Sequence, residues 1–324
     1  MLPYQFVSEI FFIIIMVAAI KDLKKSDSNN SIIRNAAVLL LLTAMVAVAE
    51  ATGQREVVFP EAAALGVGLW LMPKAVWSVR WWHIPLLLVA AAFIGLGLNM
   101  LPVFFEVRFL LAFVLAMTML RLARCNMYPA VSAAMLPVLV GTTSWVYPLS
   151  VLVIALVLVA GQRLLQQEQR IEYHPFSFVQ FAFLFIALAV PLAIMLVVNI
   201  QTVHFLVVPP LVVTMIEFAG RRSGFRERPW TIWALLVCAS VLGTMARYLL
   251  SILCSLPMAV GTQVAVALML LLFRRLKPFA PALAIAVVPM LLPTEVLLWF
   301  PLLVAVGAAW FILVGMFLSR RTKK

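Results

Sequence analysis

The chain has 324 residues, of which 65% are hydrophobic and only 11% are charged. Its 24 Lys and Arg residues outnumber its 12 Asp and Glu residues, so the formal net charge is +12. Soluble domains contain about 45–50% apolar and about 25% charged residues, so this composition excludes a soluble fold. Retention of Lys and Arg on one side of a membrane explains the basic excess better than nucleic-acid binding does.

Most of the chain divides into apolar runs of about the length that spans a bilayer core as a helix. In chain order the runs are 4–20, 32–50, 57–72, 84–103, 104–120, 128–140, 145–161, 176–199, 205–219, 230–252, 258–273, 278–292 and 296–318. The runs at 128–140 and 278–292 are short and bounded by proline, which favours re-entrant or broken helices, although a thin or tilted full crossing stays open. The sequence therefore predicts an all-α polytopic membrane protein.

The basic residues between the runs predict an orientation. All but three of the 24 basic residues fall on one face of the membrane when every run carries the chain across. The exceptions are Arg55, Arg108 and Arg247. The positive-inside rule then places the N-terminus outside and the C-terminus in the cytoplasm, and a bacterial plasma membrane is the expected location.

An internal repeat is indicated by prolines in matching register. Pro-Ala, a proline eight residues later and an aromatic-Pro-Leu triplet begin at Pro129 and again at Pro281, about 152 residues further on. A weaker match relates Gly95–Asn99 to Gly243–Arg247. Chance similarity of apolar sequence is the alternative. The pattern predicts two parallel repeats of about five spans each, with a short broken or re-entrant helix in each, plus an extra N-terminal helix.

This pattern divides the chain into four parts. Residues 1–31 form an N-terminal membrane helix and a basic cytoplasmic loop, and residues 32–161 form the first repeat. Residues 162–175 are a polar cytoplasmic linker, and residues 176–324 form the second repeat and a basic tail.

Both proline-containing segments resemble the HPP family of integral membrane proteins, named for a His-Pro-Pro motif. The resemblance rests on a basic cluster leading into Tyr128-Pro129-Ala130 and then Tyr147-Pro148-Leu149, and on Ala280-Pro281-Ala282 followed by Phe300-Pro301-Leu302. It implies two tandem, divergent helical membrane domains over most of residues 32–318. Some plant and cyanobacterial members are associated with nitrite transport. Tyr128 and Ala280 stand where the family has histidine, so the role of that histidine does not carry over.

The candidate site residues lie at helix breaks and within spans. A break frees backbone groups, and the helix after it presents partial positive charge, so the two breaks predict a substrate or ion site; simple exposed loops are the alternative. Glu61 and Arg247 are charges within predicted spans, where they serve function or structural pairing, and Asn99 matches Arg247 in the repeat. The predicted substrate-binding residues are Arg247, Asn99, Glu61, Thr142, Thr143, Ser144, Thr294 and Glu295.

The sequence carries no recognisable catalytic or metal-binding motif. Its three cysteines, Cys125, Cys238 and Cys254, are far apart and form no thiolate cluster. We therefore expect no enzymatic activity, no metal, no cofactor and no nucleic-acid partner. The expected partners are membrane lipids and a small-molecule or ion substrate, and the sequence leaves open whether the chain forms a homo-oligomer.

Two functions from different classes fit this pattern. The first is a secondary transporter or permease for a small solute, which the family resemblance narrows to a small inorganic anion such as nitrite. The second is a non-transporting membrane scaffold or assembly protein. A transporter needs a polar cavity that reaches Glu61, Arg247 or the helix breaks, whereas a scaffold can be packed solid.

Overall fold

A computed structural model of the protein describes residues 30–72, 76–164, 173–198, 201–220 and 224–321. The predicted N-terminal helix at 4–20 and most of the linker at 162–175 lie outside these ranges. Helix accounts for 81% of the structure, and no strand occurs in the described ranges.

The described part of the first half contains six α-helices. They are α1 (Asn30–Thr52), α2 (Glu61–Gly66), α3 (His83–Asn99), α4 (Phe105–Leu122), α5 (Pro129–Val140) and α6 (Val146–Leu164). Helix α2 continues into a π-helical turn at Val67–Leu71.

The described part of the second half contains seven α-helices. They are α7 (Phe178–Val198), α8 (Pro209–Ala219), α9 (Pro229–Ala246), α10 (Met258–Arg275), α11 (Ala280–Val287), α12 (Thr294–Leu297) and α13 (Phe300–Arg321). A 3₁₀ segment, Gln201–Val207, precedes α8, and another, Val288–Met290, extends α11. Helix α9 continues into a π-helical stretch at Arg247–Leu253.

Six of the described helices are long and apolar enough to cross a membrane. They are Ser31–Thr52, Val146–Leu164, Phe178–Val198, Pro229–Leu253, Met258–Arg275 and Phe300–Ser319. Their outward faces carry large apolar side chains; on α7, for example, Phe178 is 78% exposed and Val197 is 85% exposed. Such faces suit contact with lipid, and the prediction of an all-α, multi-pass membrane protein is confirmed at this level.

Short, buried helices occupy the centre of the described bundle. Helices α2, α5, α8 and α11 pack against one another in the order α2–α5–α8–α11–α2, and we call this arrangement the short-helix ring. Each has a proline at the residue before its start or in its first two positions, where the missing N–H group costs no helical hydrogen bond. The sequence predicts broken or re-entrant helices at 128–140 and 278–292; the structure adds two further short helices, α2 and α8.

Glycines allow the long helices to approach the short-helix ring closely. A Cβ atom added at Gly95 of α3 would overlap the carbonyl oxygen of Ala134 and lie 3.0 Å from Cγ of Pro137. On α9, a Cβ atom at Gly243 would overlap the carbonyl oxygen of Ala286 and lie 2.9 Å from Cγ of Pro289. Each close approach therefore brings α3 or α9 against a proline in the second half of a short helical segment.

The two halves of the chain interlock. Helix α1 packs against α10 of the second half, and α7 packs against α4 of the first half. The Glu50 carboxylate at the end of α1 accepts hydrogen bonds from the backbone N–H groups of Met258 (3.0 Å) and Ala259 (3.4 Å), at the start of α10. This contact caps a helix N-terminus with a carboxylate from the other half.

Candidate functional site

The first turns of the ring helices meet around a central void of about 10 Å³. That volume is close to the least that holds one water molecule. Each ring helix contributes two residues one turn apart, and the lining consists of Glu61, Ala64, Pro129, Ser132, Pro210, Val213, Pro281 and Ala284. Apart from Glu61 and Ser132, these side chains are apolar.

Glu61 is the ionisable residue in the lining of this void. The residue is 1% exposed, and the Ser132 hydroxyl donates a hydrogen bond to Oε1 of the carboxyl group. The other oxygen, Oε2, is buried and has no hydrogen-bond partner among the described residues. An unpaired charge in apolar surroundings costs much free energy, so this carboxyl group requires either a bound ligand or a proton.

A second, larger cavity of about 330 Å³ lies where α5 and the 3₁₀ extension of α11 end, and we call it the break cavity. Helix α5 ends at Gly141, whose φ of +69° is left-handed, and the N–H of Thr142 returns to the carbonyl oxygen of Pro137 at 3.1 Å. The lining comprises Arg55, Glu56, Val58, Leu136, Leu139, Val140, Gly141, Thr142, Tyr147, Phe205, Val288, Leu291, Leu292 and Pro293. The break cavity therefore combines apolar walls with a small polar group of Arg55, Glu56 and Thr142.

Asn99 and Arg247 perform the same task at the two breaks. The Asn99 amide nitrogen donates to the carbonyl oxygens of Pro137 and Thr142, both at 2.7 Å. The Arg247 guanidinium donates to the carbonyl oxygens of Pro289 and Leu292, the latter at 2.6 Å. Both side chains thus cap carbonyl groups at or just beyond the ends of α5 and α11, where the carbonyl oxygens of Pro137 and Pro289 also accept backbone N–H groups.

Of the three basic residues that depart from the predicted charge distribution, Arg55 lies in the lining of the break cavity, and Arg108 and Arg247 are linked to that lining through other residues. Arg247 interacts electrostatically with Arg55 while capping Leu292 of the lining. Arg108 donates to Oδ1 of Asn99 at 3.2 Å, and Asn99 in turn holds the lining residue Thr142. Positive charge from three distant parts of the sequence is thus concentrated around one cavity.

The remaining predicted site residues lie around the rim of the break cavity. Thr142 lines the cavity, and its hydroxyl donates to Glu56 at 3.5 Å. Ser144 accepts a hydrogen bond from the N–H of Val146 at the start of α6, and Thr143 is exposed. Thr294 donates to its exposed neighbour Glu295 at 3.3 Å, next to the lining residue Pro293.

The structure thus separates the predicted residues into two places. Glu61 lies at the central void, whereas Asn99, Arg247 and Thr142 lie at the break cavity. The sequence pattern predicts neither Arg55 nor Glu56 as a lining residue of the cavity. For Arg55, its place among the three exceptions to the positive-inside pattern was the one indication of a special role.

The described residues contain no group of three or more His, Cys, Asp or Glu side chains that could hold a metal ion. Comparison with protein-family models, with curated proteins and with solved structures found no match to this chain. Membership of the HPP family therefore stays a prediction.

Proposed function

We propose that the protein is a secondary transporter for a small inorganic anion, and that the break cavity binds this solute. The observation that carries the proposal is that Arg55 lines the break cavity, while Arg247 is linked to the lining through Leu292 and Arg108 through Asn99. A fixed positive charge near a low-dielectric wall lowers the cost of admitting an anion and raises that of admitting a cation. Glu56 in the lining and Glu295 at the rim offset part of this charge, and the three arginines still outnumber these two carboxylates.

The carbonyl caps also favour an anion in the break cavity. The C-terminal end of a helix carries partial negative charge on its free carbonyl groups, which would repel an anion. Asn99 and Arg247 bind those carbonyl groups at the ends of α5 and α11, so the repulsion is reduced on both sides. Arg247 adds a full positive charge at its break, whereas Asn99 adds none.

We further propose that the chain consists of two parallel repeats, as the proline register predicts. Three recurring features support this reading: Gly95 against Pro137 and Gly243 against Pro289, the two carbonyl caps, and the exchanged packing of α1 and α7. A pseudo-two-fold arrangement of broken helices around a central site is common in transporters. By the positive-inside rule the break cavity would open outward in a plasma membrane.

A scaffold protein is the weaker alternative. A scaffold needs no solute site, and a break cavity of about 330 Å³ with Arg55 in its lining would then serve no purpose. The cavity falls within the usual size range of small-molecule sites.

The proposal is tested by anion uptake into proteoliposomes, with nitrite as the probe. Arg55→Gln removes a lining charge that makes no carbonyl cap. At roughly 8 Å from the solute, with an effective dielectric constant of about 20–40, this charge contributes about 1–2 kcal/mol, or roughly 5- to 30-fold in affinity. We therefore expect the KM for nitrite to rise by that factor.

Arg163→Gln is the matched control. Arg163 lies 4.4 Å from the Trp81 ring, outside the lining of the break cavity, so the same loss of charge there should leave the KM unchanged. Arg247→Gln should abolish uptake. This variant removes a carbonyl cap as well as a charge, so it is a less specific test of the anion site than Arg55→Gln. Unchanged nitrite uptake by Arg55→Gln would refute the anion site, and no uptake of any anion by the wild-type protein would favour the scaffold.

A further inference from the structure

The central void holds one carboxyl group and one hydroxyl group whose purpose the anion site does not explain. We propose that Glu61, positioned by Ser132, is a proton-binding site at this void, and that its proton exchange is coupled to solute movement through the break cavity. The coupling rests on the proposed transport function; the proton site does not.

The void suits a proton better than a metal cation. Ca²⁺ and Mg²⁺ take about six or more oxygen ligands, whereas the described lining offers side-chain oxygens only from Glu61 and Ser132. The first turns of α5, α8 and α11 also face the void, and helix N-termini carry partial positive charge, which opposes a bound cation. A proton needs only the free Oε2 of Glu61 and room for one water molecule.

The same surroundings can accommodate both protonation states of Glu61. The helix N-termini and the hydrogen bond from Ser132 stabilise the ionised carboxylate, whereas burial among apolar side chains stabilises the neutral acid. The proton binds at Oε2, where the carboxylate becomes a carboxylic acid, and it leaves to water along the same path. Because neither the ionised nor the neutral form is strongly favoured, the carboxyl group can exchange its proton when the surrounding helices move.

No other ionisable side chain of the described residues competes for this proton at the void. The elements packed on α2 are α1, α5, α6 and α11, and neither α5 nor α11 contains an ionisable side chain. On α1, Arg34 donates to the carbonyl oxygen of Trp70 and Glu50 accepts from α10, both away from the void.

Charged groups on the remaining neighbours are also engaged or distant. On α6, the Tyr147 hydroxyl donates to the carbonyl oxygen of Ala133 at 2.9 Å, although Tyr147 interacts electrostatically with Glu61, and Arg163 lies over Trp81. On α8, Glu217 lies two turns beyond Pro210, and it interacts with Tyr128 rather than with the void lining. Glu61 is therefore the group that a proton would reach at this depth.

The proton site adjoins the break cavity. Val58, which lines that cavity, precedes Glu61 by three residues, and Leu136, also in the lining, follows Ser132 by four residues. One turn of helix rises about 5.4 Å, so a single layer of side chains separates the two sites. Binding at one site can therefore alter the packing that closes the other.

The proton site has no counterpart in the second half of the chain. The positions that correspond to Glu61 and Ser132 around the void are Pro210 and Ala284. We therefore expect one exchangeable proton at this void in each chain.

The proton site is tested without transport, by infrared spectroscopy of the purified protein in lipid at a series of pH values. The carbonyl stretch of a buried protonated carboxyl group should appear and disappear with pH in the wild-type protein. Glu217 on α8 is a second, half-buried carboxyl group, so the Glu61 band is obtained as the difference between the wild-type and Glu61→Gln spectra. Glu295→Gln removes an exposed carboxyl group and should leave the band intact. A difference spectrum with no titrating buried band overturns the proton site.

Ser132→Ala keeps the test valid if Glu61→Gln does not fold. The Ser132 hydroxyl donates to the carboxyl group, so its loss weakens the ionised form and should move the midpoint of the band to higher pH. Ala284→Ser is the matched control at the corresponding position of the second half, and it should leave the midpoint in place. An unchanged midpoint in Ser132→Ala would contradict the positioning role.

The coupling is tested separately, with nitrite as the probe. An inward proton gradient should stimulate nitrite uptake by wild-type proteoliposomes, and Glu61→Gln should lose this stimulation. Stimulation that survives in Glu61→Gln overturns the coupling. A wild-type protein that shows the infrared band but takes up no anion overturns the proposed transport function, and the coupling with it, while the proton site stands.

Discussion

Substitution of one glycine on α3 should separate that helix from the short-helix ring. Gly95→Ala places a methyl group against the Ala134 carbonyl oxygen and 3.0 Å from Cγ of Pro137, where two carbon atoms prefer about 3.5–4.0 Å. Both neighbours belong to α5, one as backbone and the other as a rigid ring. We therefore expect α3 and α5 to move apart rather than a side chain to rotate away.

The magnitude follows from a matched pair on the same helix. Gly97, two residues further along α3, has no atom within 4 Å of an added Cβ, so Gly97→Ala should gain about 0.5–1 kcal/mol from helix propensity alone. Gly95→Ala gains the same propensity and loses about 1–3 kcal/mol to overpacking. The two variants should therefore differ by about 1–3 kcal/mol, or roughly 2–6 °C in Tm, with Gly95→Ala the less stable.

Thermal unfolding of the purified variants in one detergent measures this difference. Gly243→Ala on α9 should behave like Gly95→Ala, because its added methyl group would meet Ala286 and Pro289 in the same way. Equal Tm values for Gly95→Ala and Gly97→Ala would refute the close packing of α3 on α5.

Two further predictions concern topology and the contact between halves. A cysteine replacing Gln166 should react with a membrane-impermeant maleimide only from the cytoplasmic side, and the exposed native Cys254 only from the outside; the reverse pattern would overturn the predicted orientation. Glu50→Ala should lower stability by about 0.5–2 kcal/mol in thermal unfolding, because the Met258 and Ala259 N–H groups lose their acceptor, and an unchanged Tm would show that water replaces this cap.

Much of the helical architecture could be predicted from the sequence, because lipid imposes long apolar helices and proline marks their interruptions. The runs at 128–140 and 278–292 gave enough signal to be recognised as short. The runs at 57–72 and 205–219 did not give such a signal. Their apolar residues extend on both sides of the prolines at which α2 and α8 begin, so each run is longer than its helix. Composition alone does not distinguish an extended apolar segment from the first turns of a helix.

Comparison of the two predicted repeats is the sequence signal that pairs Asn99 with Arg247. In the structure both side chains donate hydrogen bonds to backbone carbonyl oxygens at a helix end. The spacing of residues in the sequence does not indicate which oxygens they bind. The contact between Glu61 and Ser132 joins positions 71 residues apart on two short helices, and no local pattern encodes it. Arg55 was missed as a lining residue because it lies in a short connection between helices, outside any span.

Helix α1 packs on α10 of the second half, and α7 packs on α4 of the first half. These contacts between halves affect the order in which the protein can assemble. Glu50 and its acceptor site at Met258 are separated by 208 residues. At a synthesis rate of about 5–20 residues per second, α1 waits on the order of ten to forty seconds in the membrane before α10 has been made. During that interval the face of α1 that later contacts α10 must be covered by lipid or by an insertion factor. Ser31–Thr52 is long and apolar enough to cross a membrane, so α1 is stable in lipid before α10 is present.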